Sequence, residues 1–238
     1  MATRIKLGEI PVDVELKDIK NIHLSVYPPN GAVRISAPSH MSLDTIRVYA
    51  ISKLGWIKQQ QKKLRAQERE SPREFIDRES HYVWGRRYLF QEIECAERPS
   101  VELKHRKLVL RLRPGVDEAG KQAVVEEWYR QQLKQATVPS IARWTPVLGV
   151  SVNRFFVQHM KTKWGSCNTA TGCIRLNTEL AKKPLACLDY IVLHEMAHLL
   201  VPTHGPKFVA LMDRCLSNWR ATRDLLNSLP ARHEHWDY

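Results

Sequence analysis

The segment 188–208 constrains the fold most, because it combines a helical pattern of apolar residues with regularly spaced histidines. It reads LDYIVLHEMAHLLVPTHGPKF. Residues four apart lie one above the other on one face of an α-helix, so His194 and His198 are expected to point the same way. The apolar residues of the opposite face are Leu185, Val192, Met196 and Leu199. We therefore expect a helix with its back in a core and two imidazoles facing a cleft.

Two prolines indicate where this helix begins and ends. Pro184 suits a first-turn position and Pro202 cannot continue the hydrogen-bond ladder, so the pattern predicts a helix over 184–201. Beyond that break, Gly205 is expected to let the chain bend back. The bend would bring His204 towards the two helical histidines.

Three neutral imidazoles and one open position form a ligand set of catalytic zinc sites. We predict that His194, His198 and His204 bind one Zn²⁺ per chain. Glu195 lies about 100° around the helix from His194, too far to bind the ion but within reach of a water on it. Such a zinc lowers the pKa of its water to about 7 and polarises a carbonyl, and Glu195 would take the proton as general base. The pattern therefore predicts hydrolase chemistry.

Two other interpretations stay open on the residues alone. Hydrogen bonds within a buried helix would also satisfy the histidines, although burying two imidazoles on an apolar helix is unfavourable without a partner. His204 could also be an ordinary loop residue, whether or not the two helical histidines bind a metal ion. In that case the third ligand would be a later carboxylate such as Asp213 or Glu234.

The first 115 residues are predicted to form a β-rich domain with one basic helix. Short alternating or β-branched runs indicate strands at 5–16, 22–27, 32–37, 81–84, 87–93 and 101–112. A helix is predicted over about 42–67, with lysines and arginines on one face. No internal repeat is visible in the sequence.

Residues 116–238 are predicted to form the catalytic domain, in which a β-hairpin packs on the histidine helix. An amphipathic helix is expected from about residue 117 to Pro146, and two short helices at 206–216 and 219–229 end the chain. Strand-like runs at 150–163 and 172–180 flank a predicted turn at 164–168. The expected fold class is α+β.

The role of the hairpin has alternatives. Residues 172–178 form either an exposed edge strand, which would hold an extended peptide by main-chain hydrogen bonds, or an ordinary core strand. Trp164 either covers the cleft or anchors its turn in the core. Cys167 is not expected to be a nucleophile, because a zinc–water mechanism leaves it no task.

The composition of the chain indicates the class of protein and the cellular compartment that we expect. The chain has 238 residues, of which 43% are hydrophobic and 26% charged, as in a soluble globular protein. Its N-terminus has no apolar signal-peptide region, and no stretch approaches 18 uncharged apolar residues, so neither export nor a membrane span is expected. The five cysteines are odd in number and form no C-x-x-C pair. We expect reduced thiols in a cytoplasmic protein.

Several motifs of the chain are familiar in combination. They are Lys161-Thr-Lys-Trp-Gly-Ser-Cys-Asn168, Ile174-Arg-Leu-Asn177, Leu188-Asp-Tyr190 leading into His194-Glu-Met-Ala-His198, His204, and in the first half Val33-Arg-Ile-Ser-Ala-Pro38 and Trp56-Ile57. Together they resemble the YgjP-like zinc metallopeptidases, which are related to the SprT-like proteases. The resemblance implies a zincin-like catalytic domain that acts on a protein or peptide substrate. It also implies zinc ligands at His194, His198 and His204, with Glu195 as the catalytic residue.

The net charge of +12 points to an acidic partner. Residues 1–115 hold 22 basic and 14 acidic side chains, so most of the excess charge lies outside the predicted catalytic domain. Nucleic acid is the leading candidate for that partner, and the related SprT-like proteases act on DNA-bound proteins. The alternative functions are therefore a basic nucleic-acid-binding protein with a structural zinc site, or a DNA-stimulated protease.

Overall fold

The structure, a computed structural model, describes residues 2–27, 31–66, 74–160 and 163–230. The chain divides into two compact units. The first comprises residues 1–71 together with 230–238, and the second comprises residues 72–229. The α+β class and the β-rich N-terminal region are as the sequence predicts.

The first unit is a four-stranded sheet followed by two helices. Its strands are β1 (Ala2–Leu7), β2 (Ile10–Lys17), β3 (His23–Tyr27) and β4 (Ala32–Pro38), in the order β1-β2-β4-β3. The outer pairs are antiparallel and the central pair, β2 with β4, is parallel. The helices α1 (Leu43–Ser52) and α2 (Leu54–Ala66) follow. Aliphatic side chains of both layers form the core: Val12, Val14, Val33, Ile35, Ile46 and Ile57.

Two predicted elements of this unit are each divided in the structure. The single strand expected over 5–16 is a hairpin, because the chain reverses at Gly8, whose φ of 61° suits glycine. The single helix expected over 42–67 is interrupted at Lys53, whose backbone (φ −101°, ψ 5°) leaves the helical region. Apolar periodicity continues across both breaks, so the pattern alone does not reveal them.

The second unit begins with a sheet of the same topology. Its strands are β5 (Ser80–Val83), β6 (Arg86–Glu94), β7 (Ser100–Lys104) and β8 (Lys107–Leu112), in the order β5-β6-β8-β7. Again the outer pairs are antiparallel and the central pair is parallel. The strand predicted over 101–112 is a hairpin that turns at His105 and Arg106. A 31-residue helix, α3 (Glu118–Leu148), follows this sheet and passes through Pro139.

A three-stranded sheet and a group of helices complete the second unit. The strands β9 (Arg154–Gln158), β10 (Gly165–Asn168) and β11 (Cys173–Asn177) lie in the order β10-β11-β9, with β9 parallel to β11. A 3-10 helix (Thr178–Lys182) leads into α4 (Leu185–Ala197), which carries the first two histidines of the motif. The last helices are α5 (Pro206–Cys215) and α6 (Trp219–Ser228).

The predicted position of the hairpin turn, at residues 164–168, is wrong. Residues 165–168 form strand β10 rather than a turn, and the chain reverses at 169–172, where Gly172 has a φ of 63°. The edge-strand interpretation of 172–178 is also wrong, because β11 is the central strand of its sheet. β10 lies at the edge, and both β10 and β11 contact α4.

One hydrophobic core joins the elements of the second unit. Buried residues of the β5–β8 sheet, such as Phe90 and Leu110, belong to the same cluster as Leu133 of α3 and Val192 of α4. The contact boundary at residues 71–72 therefore lies earlier than the predicted domain boundary at residue 115. Assignment of catalysis to residues 116–238 stays a prediction.

A polar clamp fixes α4 against α3. The carboxylate of Asp189 accepts hydrogen bonds from Ser140 Oγ at 2.8 Å, Trp144 Nε1 at 2.9 Å and Arg143 Nη1 at 3.0 Å. The indole of Trp144 is buried, so its N–H needs such an acceptor.

Among the helices of the described ranges, none has the length and apolar character required to cross a bilayer.

Candidate metal centre

The end of α4 and the loop after it bring three histidines together. α4 ends at Ala197, earlier than predicted, and His198 directly follows it. The N–H of His198 still donates to the carbonyl of His194 at 3.3 Å, so the two residues keep the spacing of one helical turn. His204 lies in the loop before α5.

The three imidazoles point their Nε2 atoms at one another. His204 Nε2 lies 3.0 Å from His194 Nε2 and 3.1 Å from His198 Nε2. In the part of the chain that the structure describes, these residues form the group able to hold a metal ion. A tetrahedral site with Zn–N bonds of 2.0–2.1 Å separates its ligand atoms by about 3.3 Å. The donor set and spacing therefore fit a first-row divalent cation such as zinc.

The remaining ring nitrogens differ in their surroundings. Nδ1 of His198 lies 3.1 Å from the carbonyl oxygen of Val201, a position in which an Nδ1–H donates and leaves the Nε2 lone pair free. Nδ1 of His194 is buried without a hydrogen-bond partner among the described residues. Burial lowers the pKa of His194 to about 4, and it also lowers the pKa of His198. Both rings are thus held neutral, as metal binding requires.

Phe208 supports all three imidazoles. Its ring centroid lies 5.0 Å from that of His194, 4.7 Å from that of His198 and 4.9 Å from that of His204. The side chain is 2% exposed and projects from the first turn of α5. Its stacked contact with His198 and edge contacts with the other two rings restrict how the rings can rotate.

The carboxyl group of Glu195 is buried between α4 and β10. Glu195 is 5% exposed, and burial raises its pKa to about 7, against a smaller lowering effect of Lys163. A Cβ added at Gly165 would lie 2.6 Å from Glu195 Oε1 and 2.8 Å from Glu195 Cγ. The absence of a side chain at Gly165 is therefore what makes room for this carboxyl group.

Asp213, one of the two alternative third ligands, is not part of the cluster. The carboxylate of Asp213 accepts hydrogen bonds from Trp219 Nε1 at 2.8 Å and from Arg220. Glu234 lies outside the described residues, as do Lys161 and Thr162 of the hairpin motif. Gly205, expected to permit the bend, has an extended backbone (φ −80°, ψ −174°), so the bend needs no glycine-specific conformation there.

Three other residues near the site are partly or fully buried. Trp164 is partly buried against the core of the second unit, and Tyr190 is buried between His194 and Trp219. Burial raises the pKa of the Cys167 thiol to about 11, with a further contribution from Glu195. A protonated thiol is a poor nucleophile, which agrees with the expectation for this residue.

The spacing of the histidines gives no prediction that Phe208, Gly165 or Asp189 supports the site. Phe208 follows His204 by four residues and lies in the first turn of the next helix. This short spacing is the feature of the sequence that indicates a contact with the histidines. The contact of Gly165 with Glu195 joins segments 30 residues apart, and those of Asp189 join segments 45 to 49 residues apart. Such contacts depend on the packing of α3, α4 and β10, which residue spacing does not specify.

Comparison with known proteins agrees with the motif resemblance. Residues 20–229 match the family model described as "YgjP-like, metallopeptidase domain". No curated protein matches the chain. Among solved structures, the metallopeptidase zymogen jannalysin of Methanocaldococcus jannaschii is 22% identical, with a TM-score of 0.32, over 40% of this chain and 92% of that chain. The family model matches most of the length of this chain, so the chain belongs to the YgjP-like metallopeptidase domain family.

Proposed function

We propose that this metallopeptidase is a zinc-dependent endopeptidase in which His194, His198 and His204 bind one zinc ion and Glu195 is the general base. The observation that carries the proposal is the convergence of three Nε2 atoms, with separations of 3.0 and 3.1 Å. Neutral nitrogen donors at this spacing suit zinc better than calcium or magnesium, which prefer oxygen.

The number of ligands favours a catalytic site over a structural one. Structural zinc sites are closed by four protein ligands, whereas catalytic sites keep one position open. The described residues supply three donors to the cluster. This argues against the nucleic-acid-binding module with a structural zinc, although nucleic-acid binding by the peptidase itself is compatible with the site.

The position of each side chain supports the role that we propose for it. A zinc ion held by the histidines would polarise the scissile carbonyl and acidify a water molecule. Glu195 accepts a proton at its carboxylate and delivers it to the departing amine. Phe208 keeps the imidazoles oriented, and Gly165 gives the Glu195 carboxyl its place against β10.

The proposal is tested by two substitutions at the site. Glu195→Gln keeps the shape of the side chain but removes the base, so we expect about one zinc per chain and a loss of casein cleavage of at least a hundredfold. His198→Ala is expected to lose both zinc and cleavage. The measurements are metal content by mass spectrometry and cleavage of a labelled unfolded protein.

Glu97→Gln is the matched control, because Glu97 is exposed and lies in the connection between β6 and β7. It should retain full zinc content and activity. Undiminished cleavage by Glu195→Gln would refute the proposed mechanism. Running each assay with and without DNA also tests the DNA-stimulated form, which predicts cleavage that rises with DNA and falls with salt.

A further inference from the structure

A basic cleft lies at one end of the β5–β8 sheet, within the second unit. It has a volume of about 680 Å³ and is lined by Arg86, Arg87, Tyr88, Leu89, His105 and Arg106. Its two sides come from the start of β6 and from the turn between β7 and β8. The N–H of Leu89 donates to the carbonyl of Arg106 at 2.8 Å, which fixes the turn beside β6. The cleft is thus a formed feature of the sheet.

The positive charges of this cleft lack acidic partners. None of the lining residues is acidic, and Arg86, Arg87 and Arg106 are all exposed. Arg87 donates to Ser80 Oγ at 2.8 Å, but none of the three arginines forms an ion pair with a carboxylate in the described residues. Guanidinium groups gathered without counter-charges repel one another and attract anions, and their planar forks suit phosphate oxygens.

Nearby carboxylates are already occupied. Glu102 is paired with Lys104 and Arg111, and Glu79 accepts a hydrogen bond from the N–H of Phe75. Neither residue lines the cleft. The positive potential of the three arginines is therefore not neutralised locally.

An exposed aromatic side chain, that of Tyr82, lies beside Arg87 at the border of the cleft, although Tyr82 does not itself line it. Tyr82 is the antiparallel partner of Arg87, so the two side chains lie next to each other on one face of the sheet. Tyr82 is 41% exposed, although its backbone carbonyl is fixed by a hydrogen bond from Tyr129 Oη at 2.8 Å. An accessible ring beside an arginine is a combination on which an unpaired base can stack while its phosphate is bound.

We propose that this cleft and the adjoining Tyr82 bind single-stranded nucleic acid, with Arg86, Arg87 and Arg106 on backbone phosphates and Tyr82 stacked on a base. The aromatic contact distinguishes this ligand from an acidic peptide, which has no bases to stack. It also distinguishes it from duplex DNA, whose bases are already stacked. No residue of the histidine cluster takes part in this binding, so it does not depend on the peptidase mechanism.

The test measures binding of a fluorescent 12-nucleotide oligo-dT by anisotropy, with the full-length, metal-loaded protein. Removing three phosphate contacts in R86Q/R87Q/R106Q should weaken binding at least tenfold and reduce the slope of log K against log salt by about 2. Tyr82→Leu should weaken binding by about tenfold with the slope unchanged. Glu195→Gln should bind like the natural protein.

A control variant, K6Q/K20Q/K53Q, removes the same charge from exposed positions of the first unit. It should weaken binding less than threefold. Equal losses in the two triple variants would overturn the proposal, because binding would then follow net charge alone. Unchanged thermal midpoints, with the single variants Arg86→Gln and Arg106→Gln each giving part of the loss, would exclude unfolding as the cause.

Competing ligands identify the chemistry. Unlabelled oligo-dT should displace the probe, whereas equal concentrations of inorganic phosphate, polyglutamate or a 12-base-pair duplex should displace it at least tenfold less effectively. Displacement by polyglutamate or the duplex at the concentration of oligo-dT would overturn the assignment to single strands. Displacement by phosphate alone at that concentration would show a small-anion site and would also overturn it.

Discussion

Phe208 is the residue on which the orientation of all three imidazoles depends. Phe208→Leu leaves an apolar side chain but removes the flat surface that contacts the rings. We expect zinc affinity to fall by about tenfold, as for other groups that orient metal ligands, and stability to fall by about 1–2 kcal/mol. Zinc titration against a chelating dye measures the first effect, and chemical denaturation of the metal-free protein measures the second.

Phe90 provides the matched control for that substitution. It is equally buried in the second unit, but its aromatic neighbours are Phe75 and His81 rather than the histidine cluster. Phe90→Leu should cost similar stability and leave zinc affinity within twofold of the natural value. Equal losses of zinc affinity in the two variants would show that Phe208 acts through general stability alone.

Cys167 gives a pH-dependent prediction. Its pKa is raised to about 11, so at pH 8 the folded protein holds roughly a hundredfold less thiolate than an ordinary cysteine. Alkylation of Cys167 by iodoacetamide should be slower by about that factor in the folded protein than in urea. Its rate should rise about tenfold per pH unit between 8 and 10. Fast alkylation at pH 8 would contradict the burial of this thiol, and Cys167→Ser should keep full peptidase activity.

Strand β10 and helix α4 meet at Gly165, and this contact gives the prediction at the scale of elements. In Gly165→Ala the new Cβ would overlap the Glu195 carboxyl, so either the strand or the carboxyl must move. We expect cleavage to fall by at least tenfold, with zinc retained, because a base displaced by about 1 Å loses its alignment. Activity and zinc content are measured on the same preparation.

Gly205→Ala is the control for Gly165→Ala. Gly205 has an extended backbone, and a Cβ added there meets no heavy atom within 4 Å. Cleavage should stay within twofold of the natural value, although His204 is its direct neighbour. A strong loss in this variant, with little effect of Gly165→Ala, would reverse the assignment of which glycine the site requires.

These two glycines also show how far the sequence predicts the site. The spacing of His194 and His198 on one helix, and a third histidine after the helix, depend on local geometry, and the structure brings all three together as expected. The local position of Gly205 predicts a bend that needs glycine, but its extended backbone does not require glycine. The local pattern predicts a turn at Gly165, because a strand at a sheet edge has the same short, glycine-containing pattern. The pairing of the strands depends on long-range packing, so it cannot be predicted from the local sequence.

At the scale of the whole molecule, one topology occurs twice. Strands β1–β4 and β5–β8 each form two hairpins joined through a parallel central pair, and each sheet is followed by helix. No repeat is visible in the sequence, since many apolar patterns satisfy the same pairing. The two hydrophobic clusters share no residue, so each sheet belongs to a core of its own.

This division predicts which fragments of the chain fold. A fragment of residues 72–238 keeps the second unit and its complete cluster, so it should unfold cooperatively and bind about one zinc. A fragment of residues 116–238 loses large buried side chains of that cluster: Phe90, Leu108, Leu110 and Leu112. Each contributes about 1.5–3 kcal/mol by burial, and their sum is comparable to the whole stability of a typical domain. The shorter fragment should therefore lack a cooperative thermal transition, measured by circular dichroism. A folded, zinc-binding 116–238 fragment would instead place the domain boundary at residue 115, as the sequence predicts.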